Sequence, residues 1–106
     1  DSQNLLIDTM NRTYELLKKN DIKMSVAIYP WPQQLKNDVV NSKHVIMWKE
    51  FCNKKCFKFI NFFLFFFDKK NKSSFLETYK KYYYWNDIHF NAEGNRVIAE
   101  KLLKEF

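Results

Sequence analysis

Glycine is nearly missing from this chain: Gly94 is the only one in 106 residues. A catalytic α/β domain ordinarily uses several glycines, for tight turns and for close backbone approach to a ligand. Their scarcity predicts that any glycine-bearing catalytic loops lie outside this stretch. Arginine is equally sparse. Arg12 and Arg96 are the only two, so the net charge of +6 is almost entirely lysine. Base-edge and phosphate recognition rely on the planar arginine fork, and a basic nucleic-acid-binding adaptor is therefore disfavoured. The longest apolar run, residues 62–67, is far too short to span a bilayer. No charged-then-apolar leader opens the chain at Asp1. A zinc site at the two cysteines, Cys52 and Cys56, would need two more ligands at sensible spacing; His44 is near in sequence, but no cluster completes it. On a helix the two cysteines would share a face. A disulfide at that spacing requires some distortion, and two buried thiols on a core face explain the pair equally well.

What is present describes one small globular domain. The hydrophobic share is 46% and the charged share 28%, which is folded rather than disordered composition. Lys, Asn, Phe, Ile and Tyr are all abundant, as in proteins from AT-rich genomes. Leu5, Leu6, Thr9, Met10, Thr13, Leu16 and Leu17 recur at helical spacing. Asp1 or Ser2 is placed to cap that helix, and Asn20-Asp21 ends it. Residues 24–29 read as a short buried strand, stopped by Pro30-Trp31-Pro32, whose prolines cannot donate to a ladder. Residues 36–42 are polar and read as a connection. Residues 45–56 read as a helix with Val45, Trp48, Cys52 and Cys56 on one side, and 58–62 as a second strand. The aromatic run 62–67 fits either a continuing strand or the mouth of a pocket. Residues 68–74 read as a lysine-rich loop, and 75–83 as a helix capped by Ser73 or Ser74. Asn91 is placed to cap a last helix that buries Ile98, Ala99, Leu102, Leu103 and Phe106.

Helix, strand and proline exit, followed by helix and strand, is βαβ logic. Two parallel strands make no independent sheet, and a parallel pair normally lies inside a larger one covered on both faces. The fold class is therefore α/β with parallel strands, and residues 1–106 are expected to be one portion of a domain. Open strand edges and the aromatic run predict poor solubility.

Chemistry concentrates near the end of the chain, at Asp87-Ile88-His89-Phe90-Asn91-Ala92-Glu93-Gly94-Asn95. A histidine base needs a carboxylate that fixes its tautomer and stabilises its charged form. Residues two apart on an extended loop can point the same way, so one loop can deliver both Asp87 and His89. The ordinary alternative is a capping Asp and a surface His. Trp31, Trp85 and Phe90, with the 62–67 run, are candidates for lining an acyl or sugar pocket; as core aromatics they would need no ligand. The other lysines read as a solvated face.

The D-x-H-F-N-x-x-G-N run, the apolar helix after it, and the Val26-Ala27-Ile28-Tyr29-Pro30 strand exit together resemble the C-terminal part of the SGNH (GDSL-like) esterase and acyltransferase superfamily. The Pro30-Trp31-Pro32 and Trp48…Phe51-Cys52 features look like those of a bacterial subgroup of it. The resemblance implies a flavodoxin-like three-layer α/β/α sandwich, with residues 1–106 as the C-terminal portion of a single domain. It further implies a serine nucleophile, His89 as base and Asp87 as its orienting acid. No cofactor and no metal are called for. The substrate would be a small-molecule or carbohydrate ester, such as an O-acetyl group. No G-D-S and no G-x-N-D occurs, so the nucleophile half is expected elsewhere, and Ser2 reads as a cap. The usual family spacing is D-x-x-H; here Asn86 stands three before the histidine. A non-catalytic α/β scaffold or interaction module that has lost the nucleophile is the alternative. The subgroup resemblance and the cysteine pair lean toward the cell envelope or exterior.

Overall fold

In the computed structural model, which describes residues 1–106, the chain begins with α1, Ser2–Lys19. Asp1 is its cap, with its carboxylate accepting from the Asn4 amide at 2.9 Å. Ser2 is the first helical residue, so the capping role expected of Asp1 or Ser2 falls to Asp1. Lys18 and Lys19 complement the carbonyl end of the helix dipole, and Asp21, in left-handed conformation at φ 56°, turns the chain out. No α1 residue is fully buried. Ile7, Met10, Tyr14 and Leu17 rest half-buried on the core, and Lys55 Nζ donates to Asn11 Oδ1 from the facing turn.

β1, Val26–Ile28, and β2, Phe59–Asn61, pair in parallel, with Val26 opposite Phe59, Ala27 opposite Ile60 and Ile28 opposite Asn61. Between them run α2, Pro32–Asn37, and α3, Lys43–Cys52. After β2 come α4, Phe63–Lys72, α5, Phe75–Tyr82, and α6, Ala92–Glu105. The molecule is thus mixed α/β, mostly helical, with six helices and a two-stranded parallel sheet. Each strand keeps one edge with no neighbour.

Several segments differ from the sequence reading. α2 starts at Pro32 immediately after the strand exit. A proline at the first helical position gives up only an amide that had no partner, and the Gln34 side chain accepts from the Trp31 amide at 2.9 Å. The polar connection is therefore shorter than expected, and Ser42 ends it by capping α3 through the Val45 amide. α3 stops at Cys52, and the Cys52–Cys56 disulfide closes the turn beyond it with Cα atoms 4.7 Å apart. That separation lies in the ordinary disulfide range; the bridge spans the helix end, where the backbone is free to adapt.

The aromatic run is helix. Phe63, Phe66 and Phe67 are buried at i, i+3, i+4 spacing while Leu64 points to solvent, 62% exposed. The lysine-rich stretch read as loop forms its last turns, placing Lys69, Lys70 and Lys72 at the negative end of the dipole. Lys70 Nζ also donates to the Leu35 and Lys36 carbonyls at 2.6 and 3.2 Å, tying α4 to the end of α2. Four residues of the run, Phe62, Phe63, Phe66 and Phe67, are thus covered by core packing, Phe65 is half-buried and Leu64 stays exposed. Of the expected helix caps, Ser74 and Asn91 both act, accepting from the Glu77 and Gly94 amides at 3.1 and 2.9 Å.

Candidate functional site

The loop from Tyr83 to Asn91 is fixed by its own backbone before it presents any chemistry. Tyr83 and Phe90 form an antiparallel bridge, and the Tyr84 amide donates to the His89 carbonyl at 3.0 Å. Asn86 takes φ 59° at the tip. Asparagine tolerates this conformation because its short side chain can bond locally. This explains an asparagine three residues before the histidine: it serves the turn, and Asp87 is the residue that bonds the ring.

Asp87 Oδ1 lies 2.6 Å from His89 Nδ1. The same oxygen accepts the Ile88 amide at 2.6 Å and the His89 amide at 3.2 Å. The contact to Nδ1 assigns the tautomer: Nδ1–H donates to the carboxylate, and in the neutral ring the lone pair is on Nε2. Nε2 makes no hydrogen bond within the chain. These contacts, the His89 ring first, hold the Asp87 carboxyl below its ordinary range. A ¹³C titration is expected to place the Asp87 midpoint below that of an unstructured aspartate, and His89→Ala to move it back up. The sign follows from linkage: a depressed carboxyl pKa stabilises above the unfolded value and loses that contribution as pH falls through the folded one. An unchanged midpoint in His89→Ala would show that the ring contact does not hold the charge.

Two tyrosines hold this loop: Tyr79, which the sequence did not single out, and Tyr83, from the Tyr82-Tyr83-Tyr84-Trp85 run that leads into the motif and reads in sequence either as a cleft rim or as cover for the histidine loop. Tyr79 Oη accepts the Asp87 amide and donates to the Asp87 carbonyl, both at 3.0 Å. Tyr83 Oη donates to the Pro30 carbonyl at 2.7 Å, and burial pushes this phenol well above its usual range. The available signal was their spacing, i and i+4 on one face of α5 and its end, behind buried Thr78. Phe90 completes the anchor. Its ring is 4.9 Å from both Tyr29 and Tyr83 and stacks on Phe66 at 5.4 Å. Tyr29 and Pro30 directly follow β1, so the Asp87–His89 pair is tied to the carboxyl end of a parallel strand. Ligands of open α/β sheets bind at that end.

Three residues were candidate pocket liners, and the structure separates them. Phe90 packs inward against the core. Trp31 caps α2 and is 54% exposed; Trp85 is 59% exposed, with one side against Tyr79 at 5.6 Å. The acid–base pair is open as well, with side-chain exposures of 45% for Asp87 and 75% for His89. Four grooves, of about 900, 390, 250 and 280 Å³, are lined by none of Asp87, His89, Trp31, Trp85 or Phe90. None of the five serines bonds His89, and Ser42, Ser73 and Ser74 spend their hydroxyls on helix ends. No group of three or more His, Cys, Asp or Glu side chains converges as a metal site. No helix is long and apolar enough to cross a membrane. Comparison with protein-family models, with curated proteins and with solved structures gives no match.

Proposed function

We propose that residues 1–106 are the His/Asp-bearing portion of an SGNH-type serine esterase or O-acyltransferase. The observation that carries this reading is the 2.6 Å Asp87–His89 contact at the carboxyl end of β1, with Nε2 left free. In this reading a serine from outside these residues attacks the acyl carbonyl. His89 Nε2 takes the serine proton as the carbon–oxygen bond forms, then delivers it to the departing alkoxide. Asp87 holds the ring and stabilises the imidazolium. Hydrolase and transferase differ only in whether water or a sugar hydroxyl then takes the acyl group. The substrate class is a small-molecule or carbohydrate ester, an O-acetyl group in particular.

Two further observations agree with a partial site. β1 has an open edge, where the rest of a flavodoxin-like α/β/α sheet would continue. The pair is solvent-exposed, whereas a working triad buries its acid. Walls from additional chain would supply both the cover and a pocket beside the exposed faces of Trp31 and Trp85.

The test has two arms. The coding region upstream of Asp1 should encode G-D-S after a buried strand, followed by G-x-N-D. The 106-residue chain alone should then hydrolyse a small acetyl ester no faster than free imidazole, while in the longer protein His89→Ala should lower kcat by roughly 10³-fold or more. An upstream region without these motifs would return the chain to a non-catalytic α/β scaffold. Turnover by the 106-residue chain itself, lost in His89→Ala, would refute the partial-site reading.

A further inference from the structure

Residues 84–89, all exposed, carry the acid–histidine pair between buried Tyr83 and half-buried Phe90. The bonds within this stretch are short-range. The Tyr84 amide donates to the His89 carbonyl, the Asp87 amide to the Tyr84 carbonyl at 3.2 Å, and the Ile88 and His89 amides to Asp87 Oδ1. These contacts bring Asp87 and His89 within reach of each other. Keeping them together is a separate requirement, because an exposed ion pair competes poorly with water and both side chains of this pair are open to solvent.

One side chain from outside the stretch hydrogen-bonds to it, and that is Tyr79. Its hydroxyl accepts the Asp87 amide, shared with the Tyr84 carbonyl, and donates to the Asp87 carbonyl, for which it is the only donor within the chain. A single oxygen thus fixes both polar groups of the Asp87 backbone, and with them the direction in which the carboxylate leaves the loop. The Tyr79 ring is not free to follow loop motion. It is 9% exposed, stacks on Phe75 at 5.6 Å and packs against Tyr83 at 5.8 Å. Trp85 of the loop lies 5.6 Å from the same ring. α5 therefore presents a rigid hydroxyl to a loop tip whose other hydrogen bonds are its own.

We infer that Tyr79 is a positioning residue for His89: its hydroxyl holds the Asp87 backbone so that the carboxylate stays on Nδ1 and the ring keeps its lone pair on Nε2. The contacts run from Tyr79 Oη to the Asp87 backbone, and from Asp87 Oδ1 to His89 Nδ1. Which ring nitrogen carries the proton is set by the bond the other group makes to it. A neutral histidine without such a partner favours the proton on Nε2, where it could not then accept one from a nucleophile. Tyr79 acts through Asp87 and needs no contact with a reacting atom. Its weight in catalysis rests on the esterase reading; its hold on the ring does not.

The test is the tautomer itself, read from the ¹⁵N shifts of the His89 ring in the 106-residue chain at alkaline pH, where imidazole is neutral. His44, the other histidine, provides the internal reference. The parent is expected to carry the proton on Nδ1. Tyr79→Phe keeps the ring among Phe75, Tyr83 and Trp85 and removes the hydroxyl alone. Its ratio of Nδ1–H to Nε2–H should fall about tenfold or more, the scale of one hydrogen bond to a charged group. Val45→Ala truncates a buried side chain of α3, beside β2. It should lower the melting temperature and leave the ratio unchanged. In the parent, the Tyr79 ring protons beside the hydroxyl should show Overhauser contacts to the Asp87 amide. Four results would overturn the proposal: a parent ring protonated on Nε2, a folded Tyr79→Phe with the parent's ratio, an equal shift in Val45→Ala, or absent Overhauser contacts, which decide the matter even if Tyr79→Phe does not fold. No arm uses a substrate or a residue upstream of Asp1, so this proposal and the esterase reading can fail separately.

Discussion

Gly94→Ala is expected to destabilise the chain by about 2–3 kcal/mol and to loosen the Asp87–His89 loop. By helix propensity alone, the substitution within α6 would gain close to 1 kcal/mol. The tertiary contact reverses the sign. A Cβ at Gly94 would stand 2.2 Å from the Tyr82 carbonyl oxygen and 2.9 Å from Phe90 Cδ1. Neither neighbour can yield cheaply. The Tyr82 carbonyl accepts the Asn91 amide at 3.0 Å, and the Phe90 ring is held among Tyr29, Phe66 and Tyr83. Relief therefore requires α6 to back away from α5, which strains the Asn91 cap and the Tyr83–Phe90 bridge together. Urea unfolding should show a lower midpoint at unchanged slope, with faster amide exchange at His89 and Asn91. A midpoint equal to the parent's would mean that α6 does not approach α5 this closely.

Phe66→Ala should cost more, about 3–5 kcal/mol. Phe66 is fully buried and lies within 5.0–5.8 Å, centroid to centroid, of Phe65, Tyr82, Tyr83 and Phe90. Its removal opens a cavity directly beneath the histidine loop. Against a total stability of about 5–15 kcal/mol for a domain, that loss would leave a large unfolded fraction. Leu64→Ala is the matched control: Leu64 is 62% exposed, and its truncation should shift stability by about 0.5 kcal/mol or less. The pair also tests the helical assignment of residues 62–67. A strand would place 64 and 66 on one face, so their truncations would be similarly costly or similarly mild; the helix makes them opposite.

The aromatic run shows why local pattern reached only part of the fold. Six apolar residues in a row carry no polar partner by which to read a period, so strand and helix cannot be separated within the run itself. The separation comes from Asn61, whose side chain accepts from the Phe63 amide at 3.0 Å and starts the helix, and from the lysines that continue it. The second missed helix, α2, begins at a proline that also ends a strand. One residue there serves two boundaries, and only the path of the chain assigns it to the second.

At the candidate site, Asp87 and His89 were readable because two residues on one loop need no long-range partner to meet. Their 2.6 Å contact follows from the Asn86 turn and from amides adjacent in sequence. Tyr79 was not readable as a site residue, and Tyr83 only as one of the aromatic run leading into the motif. Their roles depend on where α5 docks relative to β1, and the Tyr83–Pro30 bond joins positions 53 apart in sequence. Trp31, Trp85 and Phe90 looked alike as aromatics near the motif, but only packing could send one inward and leave two exposed.

By itself, then, the sequence determined what is encoded within a few residues. That covers α1, α5 and α6 with their caps, the two short β segments with the proline exit after the first, and the acid–histidine pair with the tautomer it favours. Tertiary structure decided everything that depends on distant segments meeting. It gave the aromatic run its helical face, anchored the histidine loop to the end of β1, and closed the Cys52–Cys56 turn beyond a helix end. Local hydrogen bonds are specified by neighbours in the chain, whereas burial is specified by which surfaces the fold brings together.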